Sequence, residues 1–233
     1  MPWARASELD RVFACPASAH LPRTPRPAGD AAQWGNVMHT WKETGGWGNT
    51  SFKVSERRMA ALHGSGQTRE SLYPSTGVHE VSYALHTRSR IVESYVSSDR
   101  DEREAWKLGW DSDWLTGTCD YTGEVLDDPW VDDLKSGRYV PDNPFDLWQL
   151  RMYAACVCIL AHAERVHVSL THWPRSPADA PPTRTWALVE ADTLINETLP
   201  LLEARRRLVE ASWDRPDARP GQHCTYCEAA NNC

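Results

Sequence analysis

The sequence predicts a single α/β domain over residues 1–233, a β-sheet with helices packed on it. Three observations predict it. Short β-rich runs with turn residues between them fill the centre of the chain. A long apolar run of helical length follows them. A second pair of β-rich runs follows that. Strands on both sides of a buried helix are the pattern of a layered α/β fold. No internal repeat or low-complexity tract competes with this reading.

The elements follow in order. Ser7 with Asp10 reads as a capping box opening a short helix over about 8–14, which Cys15-Pro16 ends. Pro22, Pro25, Pro27 and Gly29 make 21–30 a loop, and 31–44, with Gly35 and His39, reads as a helix. Residues 45–77 are rich in Gly, Ser and Thr and form an insertion with a helix near 54–63. Glu80–Leu85 alternates as a strand. Trp114–Val125 and Pro129–Lys135 are two more strands joined by a turn. Trp148–Ala163 is a buried helix. Val166–Trp173 and Thr185–Glu190 form a hairpin around a Pro-rich loop. Asp192 caps a last helix running to about Ser212, and Trp213–Cys233 is an irregular tail.

A chain of 233 residues holds one sizeable core. Phenylalanine is scarce (3), but 12 tryptophans supply large areas to bury. The net charge of −7 argues against a simple electropositive nucleic-acid binder. That charge is uneven. Residues 99–133 carry 12 carboxylates and 3 cations, so the rest of the chain nets +2. The acidic window reads as a solvated face, a region that gathers metal, or both. No apolar run reaches membrane-spanning length, and the start lacks the apolar segment of a secretory signal, so a cytoplasmic location is the expectation. Seven cysteines, an odd number, then read as metal ligands and core thiols rather than a disulfide frame.

Two constellations carry chemistry. On a strand, Asp133 and Lys135 share a face and Asp132 points away. With Asp120 on the neighbouring strand they make a compact site for a hard divalent cation, Mg²⁺ or Mn²⁺. Such a cation polarises a phosphoryl oxygen and acidifies a bound water, while a lysine positions the water or steadies phosphate charge. Taken alone, the same pair reads first as a surface ion pair worth about 0–1 kcal/mol. The second constellation is C-x2-C-x5-C at Cys224, Cys227 and Cys233, with Cys15 far upstream. Four thiolates suit an iron–sulfur cluster or a tetrahedral zinc ion. Cys119, Cys156 and Cys158 sit in apolar runs and read as buried thiols.

Five fragments stand in one order: Gly35-x-x-x-His39, Glu80 on a strand, Gly117-x-x-Asp120, Asp133-Leu134-Lys135-x-Gly137, and Gln149-x-x-x-Tyr153. In that order they resemble the RecB-like branch of the PD-(D/E)xK nuclease superfamily. The resemblance implies a restriction-endonuclease-like fold, a central mixed β-sheet flanked by helices. It implies His39, Asp120 and Asp133 as metal ligands, with the Leu134 carbonyl a further one, and Lys135 as the catalytic lysine. Glu80 falls at the family's upstream acid. Gln149 and Tyr153, one helical turn apart, would contact the substrate strand or brace the site. The cysteine set resembles the iron–sulfur subgroup of these enzymes, which includes CRISPR-associated RecB-like exonucleases, the AddB nuclease domain and phage enzymes. That resemblance implies a structural 4Fe–4S cluster on Cys15, Cys224, Cys227 and Cys233, fastening 1–30 to 213–233.

The implied activity is a divalent-metal-dependent DNA exonuclease acting on single strands or ends. The alternatives are an end-processing subunit working beside an integrase or a recombination protein, and a non-catalytic DNA-binding module on the same fold. Trp34, Trp41 and Trp47 flank His39 and read as core or as stacking platforms for unpaired bases. The 45–77 insertion reads as a solvated loop or as a wall of the DNA channel.

Overall fold

The computed structural model describes residues 2–21, 35–39, 72–73, 76–135, 141–173, 183–213 and 218–227. The described elements are β1 (Ala4–Arg5), α1 (Leu9–Ala14), β2 (Val78–His86), β3 (Ile91–Val96), α2 (Arg100–Leu108), β4 (Trp114–Val125), β5 (Asp128–Lys135), α3 (Trp148–Ala161), β6 (Arg165–His172), β7 (Thr183–Glu190) and α4 (Leu199–Ala211). Residues 35–39 are also helical. The insertion helix near 54–63, most of the 45–77 segment, and Trp34, Trp41 and Trp47 lie outside the described residues.

The strands form one mixed sheet in the order β3-β2-β4-β5-β6-β7. All neighbours on this path are antiparallel except β5 and β6. A parallel pair needs a long crossover, and α3 supplies it. Helix α3 is apolar around most of its circumference, which suits an element buried in the core rather than lying on the surface. It packs on the sheet face carrying Val81, Tyr83, Leu115, Val131, Val168 and Leu170. The reverse face holds a small aromatic cluster of Tyr73, Tyr121 and Trp130. Among the described residues tryptophan therefore contributes less to the main core than composition predicts. Leu, Val, Ala and Cys build most of it, and Cys119, Cys156 and Cys158 are buried there as expected. Among the described residues no helix is long and apolar enough to cross a membrane.

One edge of β4 determines where the site can form. Along that edge β5 pairs with Tyr121–Val125, while the short β1 pairs in parallel with Leu115 and Thr116. Between these partners, residues 117–120 face a fork where β5 has left the ladder. Gly117 lines the fork because nothing larger fits: a Cβ there would lie 2.4 Å from the Ala6 Cβ and 2.9 Å from the Tyr153 hydroxyl. Gly117→Ala is expected to lower stability by about 1–3 kcal/mol, read from urea unfolding, because neither neighbour can retreat from a packed core.

Several expectations change. No side chain caps the start of α1. The chain enters it through a 3-10 turn at Ala6–Glu8, and the Asp10 carboxylate turns instead to the backbone of Trp148. Asp192 makes no capping bond either. Its carboxylate accepts from the Asn196 amide, and a wide turn over Thr193–Thr198 leads into α4. Strand β3 and helix α2 extend the predicted pattern. Helix α2 has no apolar stripe to read, because its buried positions are Arg103 and Lys107, whose stems pack inward. Its N-cap, Asp99, accepts from the N–H groups of Asp101 and Glu102.

Candidate metal centre and catalytic lysine

The site forms where two strands kink together. Strands β2 and β4 pair at His79 with Tyr121 and at Val81 with Cys119, but the ladder skips Glu80 and Asp120 between them. Glu80 has a φ of 57°, in the left-handed region. A side chain there costs about 1–2 kcal/mol, and such strain collects at functional positions. The kink turns the strands over. Val81 and Cys119 enter the main core, whereas His79 and Tyr121 pack with Tyr73 on the reverse face. The two acids sit at this turnover, opposite one another.

Asp120 also holds the fork open. Its Oδ2 accepts the Leu134 N–H at 2.6 Å, in the stretch of β5 that no longer pairs with β4. Its Oδ1 lies 3.1 Å from the His39 Nδ1, which is 3.7 Å from the Glu80 Oε1. One ligand atom from each of His39, Glu80 and Asp120 lies within 4.8 Å of the others. The Glu80 Oε1 is buried and has no hydrogen-bond partner among the described residues. Its second oxygen is 3.6 Å from an Arg103 nitrogen. An imidazole nitrogen with two carboxylate oxygens, one of them buried and unsatisfied, is a donor set that fits a divalent cation.

A second cluster stands beside it. The Asp133 Oδ2 is 2.6 Å from the Lys135 Nζ, and the Asp133 Oδ1 accepts from the Gln149 Nε2 at 2.9 Å. Lys135 donates to the Gln149 Oε1 at 2.9 Å. Lysine only donates, so this bond orients the glutamine amide. Its Nε2 also approaches the Tyr153 hydroxyl at 3.2 Å, and that hydroxyl donates to the Thr118 carbonyl at 2.7 Å. Gln149 and Tyr153 thus tie the acid–lysine pair back to β4. Asp133 is 2% exposed, while the Lys135 side chain is 36% exposed. Burial raises the Asp133 carboxyl to about 6 against the pull of Lys135, and the Asp120 charge adds to the rise. Burial alone would lower the Lys135 pKa, but the Asp133 carboxylate beside it holds it above the ordinary value. Gln149→Leu removes hydrogen bonds to two charged groups and is expected to lower any hydrolytic rate about 10–100-fold, measured in single-turnover assays.

The sequence-predicted residues therefore fall into two groups. His39, Glu80 and Asp120 converge; Asp133, Lys135, Gln149 and Tyr153 form the adjoining bonded chain; Leu134 enters the site by its N–H. Sequence reasoning missed Asp10 and Thr118, which brace the second group through α3 and the β4 backbone. Asp132 points to the reverse face, as alternation predicts. There it accepts from Tyr73, Ser169 and Thr171 and lies 3.5 Å from the Arg184 Nε.

The cysteine constellation is a correction. The tail does reach α1, since the Arg219 N–H approaches the Cys15 Sγ at 3.4 Å. Even so, Cys15, Cys224 and Cys227 do not gather three ligand atoms within 4.8 Å, and Cys233 lies outside the described residues. Zinc with bonds of about 2.3 Å needs its thiolates about 3.8 Å apart. The described thiols are not positioned around a single zinc ion, and the expected 4Fe–4S cluster joining 1–30 to 213–233 is not supported.

Fold and site together define a nuclease-like α/β domain with a candidate cation-binding group beside an acid–lysine pair. The family model of the PD-(D/E)XK nuclease superfamily matches residues 6–233, and the chain belongs to that superfamily. No curated protein matches it. Among solved structures, the protein SSO0001 is 12% identical, with 99% of this chain and 85% of that one covered and a TM-score of 0.42. A phage-related exonuclease from Haemophilus somnus 129PT is also 12% identical, with 91% and 93% covered and a TM-score of 0.36.

Proposed function

We propose that this protein is a divalent-metal-dependent deoxyribonuclease that hydrolyses phosphodiester bonds from strand ends. The observation that carries the reading is the juxtaposition of His39, Glu80 and Asp120 with the Asp133–Lys135–Gln149 chain, within a superfamily of nucleases. The preference for single strands or ends rests on the resemblance of the five ordered motifs.

His39, Glu80 and Asp120 would hold Mg²⁺ or Mn²⁺, and Asp133 stands next to them. When bound, the cation supplies Lewis acidity toward a phosphoryl oxygen and a more acidic water. Hydrolysis forms a bond from water oxygen to phosphorus and breaks the bond to the departing strand oxygen, which takes up a proton. Asp133 and Gln149 hold Lys135 in one rotamer, so its ammonium is aimed before substrate arrives. From that position it donates to the attacking water or to a non-bridging oxygen as charge builds there. Tyr153 and Gln149 keep Asp133 in place.

The test uses the full chain with DNA labelled at either end, single- and double-stranded, in Mg²⁺, in Mn²⁺ and in EDTA. Metal-dependent stepwise shortening is the expected result. Cleavage that persists in EDTA overturns the reading, as does DNA binding that is equal with and without metal and never accompanied by cleavage.

A further inference from the structure

Arg151 lies on the first turn of α3, two residues beyond Gln149, and the acid–lysine chain does not use it. It is held unusually firmly for a half-buried arginine. Its Nε donates to the Phe145 carbonyl at 2.6 Å. Its guanidinium carbon lies 4.7 Å from the centre of the Phe145 ring and 4.4 Å from that of Trp148. Trp148 is in turn stacked on Phe13 at 3.6 Å, with ring planes 12° apart. A guanidinium fixed at one nitrogen and against two rings has lost its rotamer freedom in advance.

What it lacks is an anion. Among the described residues Arg151 forms no ion pair, although Asp10, Asp146 and Glu197 are near enough to act on its charge. Asp10 spends its Oδ1 on the Trp148 N–H, at 3.1 Å, and so caps α3 in place of Leu147, which has no capping side chain. The same carboxylate feels both Lys135 and Arg151. Two cations therefore flank Asp10 at the N-terminal end of α3. The helical dipole favours an anion at that end. Burial lowers the Arg151 pKa, as expected for a cation partly withdrawn from water without a bonded counter-ion.

We infer that Arg151 is a phosphate-binding residue for the substrate strand, its free Nη1 and Nη2 gripping a phosphodiester adjacent to the one presented to Lys135. Arginine offers this fork in a geometry that matches phosphate oxygens, and the ring contacts pre-orient it. Phe145 and Trp148 act as its walls, and the Trp148 ring is already stacked on Phe13. The inference rests on the nuclease reading and names how that site holds its substrate.

The experiment measures affinity for a single-stranded oligonucleotide in Mn²⁺ across a salt series, in the Lys135→Ala background so that cutting is slow while binding is read. Arg151→Gln is expected to bind about tenfold more weakly and to lower the slope of log affinity against log salt by about 0.7, the loss of one phosphate contact. Arg151→Lys should restore the slope while recovering only part of the affinity, since it keeps the charge and loses the fork. It also serves if the glutamine variant folds poorly. An unchanged slope in either the glutamine variant or, where that one fails to fold, an unchanged affinity in the lysine variant overturns the inference. Cleavage by the wild-type chain is scored separately, so failure of the nuclease reading shows as absent cleavage whatever Arg151 does.

Discussion

Lys135→Ala is expected to lower the rate of DNA hydrolysis by about two to three orders of magnitude, the scale seen when one preorganised donor to developing charge is removed. The argument is geometric. The Lys135 ammonium is already bonded to Asp133 and Gln149, so it is held in place without reorganisation. Alanine removes that donor and leaves Asp133 buried beside Gln149 alone. The acid then loses the cation that restrains its pKa, and part of the effect arises there. Lys135→Arg separates the two contributions. It keeps a positive charge near Asp133, but its planar fork cannot reproduce the single ammonium donor held by the Gln149 oxygen. The arginine variant should therefore keep the thermal stability of the wild type and still lose most of the rate. Single-turnover cleavage of an end-labelled strand in Mn²⁺ measures it. A loss below about tenfold in the alanine variant counts against Lys135 as the donor.

What the sequence made legible was the part governed by short-range periodicity. Alternation alone puts Asp133 and Lys135 on one face and Asp132 on the other, and the structure keeps that division. The long apolar run at 148–161 is readable as a buried helix for the same reason. The metal group was not legible at this level. It depends on Glu80 adopting a left-handed backbone and on Asp120 giving up a ladder position to bind the Leu134 N–H, both consequences of strands splitting apart. No local propensity marks a glutamate for that conformation. Asp10 shows the same limit. Three residues after a serine it resembles a capping residue of its own helix, yet it caps a helix that begins 138 residues later. Helix α2 stayed hidden because its inward face is charged, with Arg103 and Lys107 reaching Ser97, Glu104 and Thr118. The cysteine spacing was legible as a pattern, but spacing does not fix where thiols meet, and the described ones do not gather around one ion.

Asp133 makes the site sensitive to pH in a direction that can be worked out. Its carboxyl is raised to about 6 in the folded chain, chiefly by burial, against about 3.9 in an unfolded one. Between those values the folded state binds the extra proton, so this group's contribution to stability is fully present below about pH 4 and is lost as pH rises through about 6. Above that, the metal-free protein carries a buried carboxylate relieved only in part by Lys135. A divalent cation in the adjoining group favours the ionised form, so protonation of Asp133 below pH 6 weakens its binding. The stabilisation by Mn²⁺ is therefore expected to be largest at pH 7–8 and to shrink toward pH 5. Thermal melts in EDTA and in Mn²⁺ across that range measure it. Asp133→Asn removes the titrating group. In that variant the metal-free protein should no longer lose stability between about pH 4 and 6, and the residual Mn²⁺ shift should depend less on pH than in the wild type. If wild type and Asp133→Asn show the same pH dependence of the Mn²⁺ shift, then Asp133 is not coupled to the cation, and the site must work through His39, Glu80 and Asp120 alone.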